Sequence, residues 1–112
     1  MTRHTDIGAL LARMDAARRG TQHHLAVIER QVAKRAERMT ITARAKRRRR
    51  RSSAGAWPGA DERAYQGHLA DLVLARLPEI DALTRKLARQ DDALTALRSR
   101  YGVGVTSAIV ER

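Results

Sequence analysis

Residues 61–101 read DERAYQGHLADLVLARLPEIDALTRKLARQDDALTALRSRY, and the fold follows from this stretch. A seam of its larger apolar side chains runs through Leu69, Val73, Ile80, Leu83, Leu87, Leu94, Leu97 and Tyr101. Arg76 and Gln90 complete a run of steps of three and four. That spacing places one stripe along a helix, the a/d rule of a coiled coil. The opening acids Asp61 and Glu62 suit a helix start, where the peptide dipoles favour negative charge. Asp61 is expected as an N-cap or first-turn acid. Gly102 is expected as the C-terminal stop. Pro78 interrupts the run. Leu77 would be a poor N-cap, so a kink in one helix is expected in preference to a fresh start.

Working toward the N-terminus, residues 52–60 read SSAGAWPGA, a cluster of turn formers. Before it, from about residue 5 to 50, a second seam runs through Ile7, Leu11, Met14, Leu25, Ile28, Val32 and Met39, again in steps of three and four. Arg18, Thr21 and Arg35 are polar members of this seam, and Gly20 marks a weak point.

The chain is therefore expected to be all-α. The expectation is one long antiparallel two-helix coiled-coil hairpin, residues 1–112, with helix 1 about 5–50, linker about 51–60, helix 2 about 61–101 and a short non-helical tail at 102–112. In an antiparallel pair the numbers of facing residues sum to a constant. A constant of about 108 pairs most apolar positions and sets Arg18 against Gln90 and Lys46 against Glu62. The Arg-rich segment then lies at the apical loop. A lone two-helix hairpin is marginal in stability, so self-association or a docked partner is expected.

Charge sharpens the reading. Of 23 Lys and Arg, 15 lie in residues 1–52 beside only 4 acids, so the net +11 sits entirely in the first half. The densest part is Arg44, Lys46, Arg47, Arg48, Arg49, Arg50 and Arg51, a candidate contact for an anion or an acidic partner. Phosphate is one such anion, because guanidinium groups match its geometry. No aromatic residues interleave this run, so backbone contact is expected in preference to base reading.

Catalysis finds no support. There is no Cys, which excludes a disulfide scaffold, a thiolate zinc site and a Cys nucleophile. His4, His23, His24 and His68 lack metal-box spacing. The acid pairs Asp61-Glu62 and Asp91-Asp92 would lie on a rod without the concave, partly dry site that acid–base work needs. No enzyme activity, cofactor or metal site is expected. The N-terminus lacks the apolar core of a secretory signal, and no run of about 18 apolar residues suggests a membrane span.

One family resembles this layout. Asp61-Glu62-Arg63 followed by Tyr65, then Leu69, Leu72, Leu74, Glu79-Ile80-Asp81-Ala82-Leu83, Leu87, Leu94 and Leu97, is similar to the second helix of YscO/FliJ-like stalk proteins of type III secretion and flagellar export. The resemblance spans about Asp61 to Leu97, with a looser match at Leu10-Leu11-Ala12-Arg13-Met14. It implies a rigid coiled coil in the pore of a hexameric secretion ATPase. The implied partners are that ATPase, an export gate and chaperones, and the implied setting is cytoplasmic, peripheral to a membrane-embedded apparatus. Two other expectations stand beside it. One is a small nucleic-acid-binding accessory protein using Arg44 to Arg51. The other is a dimeric regulator whose hairpins form a four-helix bundle.

Overall fold

The computed structural model describes residues 4–50 and 59–102, with side chains from 6 to 47 and from 59 onward. Three helices occupy them: α1 (His4–Arg50), α2 (Gly59–Ala75) and α3 (Leu77–Tyr101). All the described residues but Arg76 and Gly102 are helical, as the periodicity predicts. The chain divides into two units, one of Met1–Leu25 with Asp81–Arg112 and one of Ala26–Ile80.

The expected second helix, 61–101, is two helices. The division falls at Arg76, just before α3, whose first turn contains Pro78. Proline has no N–H, so the carbonyl four residues earlier, that of Leu74, loses its ladder donor. Ladder bonds flank the gap on both sides. Arg76 N donates to Leu72 O and Val73 O at 3.1 Å each, and Ile80 N donates to Arg76 O at 3.0 Å. Arg76 is the single non-helical residue between α2 and α3. The far side of the gap is pinned by the Arg76 guanidinium, which donates from Nε to Glu79 Oε1 at 2.9 Å and pairs with it through Nη2 at 2.8 Å.

The unit of residues 26–80 pairs α1 with α2. Ile28, Val32 and Ala36 form its buried apolar row, with Thr40 continuing it. The steps are four, four and four, not the expected alternation through Arg35 and Met39. A four-residue step where a three was due slides the seam around the helix, as a stutter does in a coiled coil. Arg35 is consequently exposed, and Ala36 takes its place with no accessible surface. Thr40 can be fully buried because its Oγ1 donates back to Ala36 O at 2.8 Å, satisfying the hydroxyl within the helix.

Contacts fix the direction of pairing in this unit as antiparallel. Gln31 Oε1 accepts from Arg76 Nη1 at 3.4 Å, one residue from the partner at position 77 that the constant of 108 assigns. Arg47 meets Asp61, its assigned partner.

The unit of residues up to 25 and from 81 buries Leu11 and Thr21 of α1 and Leu94 of α3. Thr21 Oγ1 donates to Ala17 O at 3.2 Å, the same device as at Thr40. Ile7, Met14, Leu83, Leu87 and Leu97 are half-buried. Arg18 Nε lies 3.6 Å from Asp91 Oδ1, one residue beyond the expected Gln90, whose own Oε1 is buried without a hydrogen bond.

Besides Arg35, two expected seam residues lie outside the seam. Val73 is 37% exposed, because α2 turns a different face to α1. Tyr101 is 49% exposed. It is the last residue of α3, and its ring lies under the Arg100 guanidinium at 5.5 Å. Gly102 ends α3 with φ 69°, the left-handed conformation that glycine adopts without strain, and its N–H donates to Ser99 O at 3.4 Å.

Gly20 sits inside α1, and a Cβ added there meets nothing within 4 Å. Gly20→Ala is expected to stabilise the fold by about 0.5–1 kcal/mol, because alanine restricts the unfolded chain and extends helix propensity. Urea unfolding followed by circular dichroism measures it. A destabilised variant contradicts a straight, open helix at this point.

Candidate functional site

The sequence assigns seven cations, Arg44, Lys46 and Arg47 to Arg51, to contact with an anion or an acidic partner. The structure divides them. Asp61, in the first turn of α2, has no accessible surface, and two of the seven turn toward it. Arg47 Nη2 donates to Asp61 Oδ1, and Arg44 Nε stands 3.3 Å from Oδ2. The second contact is an ion pair without hydrogen-bond alignment, leaving Oδ2 without a hydrogen bond. Asp61 is thus the anchor that holds the start of α2 against the end of α1. It also draws Arg44 and Arg47 away from other anions.

Lys46 remains exposed. Its expected neighbour Glu62 instead accepts from Gln66 Nε2 at 2.8 Å on its own helix. The side chains of Arg48, Arg49 and Arg50, all of Arg51, the rest of the linker through residue 58 and the tail beyond Gly102 lie outside the described residues.

A row of cations that the sequence reading passed over lies earlier on α1. Arg30, Lys34 and Arg38 are spaced by four and all exposed, with Arg35 and Lys46 exposed beside them. Four residues advance about 6 Å along a helix, so this is a line of positive charge on one face. Helical spacing could have revealed it.

A second polar cluster lies in the other unit. Asp15 pairs with Arg18 at 3.1 Å and with Arg19 at 2.9 Å. Hydrogen bonds from Arg18 hold its carboxyl below the usual carboxylate range. Partial desolvation opposes this, and the charges of Arg19, Arg18 and Arg98 reinforce it. A carboxyl whose folded pKa is depressed stabilises the fold above its unfolded pKa, and that contribution fades as pH falls through the folded value. The Asp15 carboxyl carbon is therefore expected to titrate below an unfolded peptide's aspartate. An NMR titration reads this directly, and a midpoint at or above the ordinary value contradicts the Arg18 contact.

Among the described residues, no group of three or more His, Asp or Glu is placed to hold a metal ion, and no helix is long and apolar enough to cross a membrane. The hollows in the unit of residues 26–80 are surface grooves. One lies between Gln31, Arg35 and Arg38 on α1 and Leu72, Ala75 and Arg76. Another lies along the outer side of α2 at Leu69, Val73 and Leu74. What this arrangement can do chemically is pair with charge and cover apolar surface.

No family model matches the chain, and no curated protein and no solved structure shows similarity to it.

Proposed function

We propose that the chain is a non-enzymatic coiled-coil hairpin that serves as a stalk or adaptor of a type III secretion-like export apparatus, in the cytoplasm. It would engage a hexameric ATPase, and through it an export gate or chaperones, by its helix faces. The observation that supports the reading is the 47-residue α1, with the contacts Arg47–Asp61 and Gln31–Arg76 between it and the segment from Gly59 to Arg76. A stalk needs a long helix braced by a second chain segment, and side chains that fix the two together. Asp61 supplies that brace. The test is ATP hydrolysis by a purified hexameric secretion ATPase with and without this protein. Stimulation and co-migration are the expected results. A protein that neither binds nor stimulates the ATPase overturns the reading.

The cation row on α1 favours a second reading, contact with nucleic acid through phosphates. Arg30, Lys34, Arg38 and Lys46 are exposed, whereas Arg44 and Arg47 are engaged with Asp61, so the first four carry it. Each neutralised phosphate adds about −0.9 to the slope of log affinity against log salt on duplex DNA. Binding to mixed-sequence duplex should weaken steeply with salt. Changing the four cations to glutamine should flatten the slope by about three or four units. Salt-independent binding, or none, removes this reading.

A further inference from the structure

The unit of residues 26–80 uses little of α2's apolar surface. Of α2, only Asp61 is fully buried, and the buried apolar row is all from α1. Leu74 is 66% exposed, Leu77 38% and Val73 37%. With Gln66, Leu69 and Ala70 these residues line one groove on the outer side of the helix. Their spacing of three, one, three, one and three makes a continuous stripe. No charged side chain interrupts it. An apolar stripe of this kind on a surface marks a contact.

We propose that this stripe docks a second copy of the chain, through an antiparallel contact between α2 and the second copy's α2. Two arguments select a copy as the occupant. The first is self-complementarity, which a two-fold interface requires. A two-fold axis between positions 71 and 72 sets Leu69 against the second copy's Leu74, Ala70 against its Val73 and, at the margin, Gln66 against its Leu77, the first residue of α3. All six stripe residues then meet one another, with small Ala70 against the larger valine. The second is charge. The rim of the stripe carries Glu62, Arg63 and Asp71, a net of one negative charge. The exposed cations that would recruit an acidic partner, Arg30, Lys34, Arg38 and Lys46, sit on the other helix. A copy needs no such attraction, and this face brings two strongly basic chains together where their charge is least.

This inference is independent of the stalk reading, since ATPase stimulation and self-association are measured separately. The test is sedimentation equilibrium of the full chain over a range of concentrations and salt. Dimers are expected, and their association should strengthen between about 0.1 and 0.5 M salt, because screening relieves repulsion between the basic chains. Binding to an acidic partner or to nucleic acid would weaken over the same range. Leu74→Glu should weaken dimerisation by about tenfold or more while leaving the helical circular dichroism of the monomer unchanged, Leu74 being largely exposed. Leu74→Ala should give an intermediate loss. A wild-type chain that stays monomeric at about millimolar concentration overturns the proposal. So does a dimer indifferent to Leu74→Glu, or one that dissociates as salt rises.

Discussion

Replacing Asp61 by alanine is expected to lower the unfolding free energy by about 2–3 kcal/mol. Removing one partner of a buried ion pair costs about 3–5 kcal/mol when the other charge stays buried. Here the Arg44 side chain is 20% exposed and that of Arg47 is 47% exposed, so both can recover water and the cost is smaller. Loss of a carboxylate from the first turn of α2 adds a few tenths. Arg47→Gln should cost less, because Arg47 is the more exposed partner and Arg44 remains beside the carboxylate. Glu62→Gln, next in sequence but exposed, should change stability by less than about 0.5 kcal/mol. Urea denaturation of the three variants measures the ordering. Equal small effects at Asp61 and Glu62 contradict the assignment of Asp61 as the anchor.

Ile28→Ala is expected to cost about 2–4 kcal/mol. Ile28 is 1% exposed and heads the buried row of α1, so its removal loses apolar burial and leaves a cavity. Ile41, on the same helix but 50% exposed, should cost well under 1 kcal/mol on the same change. The pair isolates packing from helix propensity, since residue types and helix are shared. Amide hydrogen exchange across residues 26–80 reads the loss locally: protection should fall in that unit for Ile28→Ala and hardly at all for Ile41→Ala.

The helical character was legible because the signals are local. Leu11, Ile28, Val32 and Leu94 follow helical period, and Gly102 stops α3 by its own backbone freedom. The pairing of position 47 with 61 was legible too, because one constant fitted most apolar positions at once. What failed were places where side-chain type and location part company. Ala36 and Thr40 lie deepest in the row, yet neither reads as apolar anchor material. Alanine allows close approach, and threonine hides its hydroxyl by bonding one turn back. A heptad frame assigns the seam to Arg35, and a single four-residue step undoes that. Val73 fits the period but faces outward, since period fixes a stripe and not which neighbour it meets. At Pro78 the sequence favours a kink in one helix, whereas the chain divides at Arg76 into two helices. In the basic run, composition shows the charge but not that a single buried carboxylate, Asp61, engages Arg44 and Arg47.

The antiparallel pairing of α1 with α2 is tested most directly by cysteine cross-linking. The chain has no cysteine of its own, so introduced pairs report alone. Gln31→Cys with Arg76→Cys places thiols where the native side chains touch. Gln31→Cys with Gln66→Cys offsets them by ten residues, about 15 Å along the helix. At low protein concentration, a short bifunctional maleimide should close the first pair within one chain and leave the second open. Cross-linking of both pairs alike, or only between chains, would contradict the pairing.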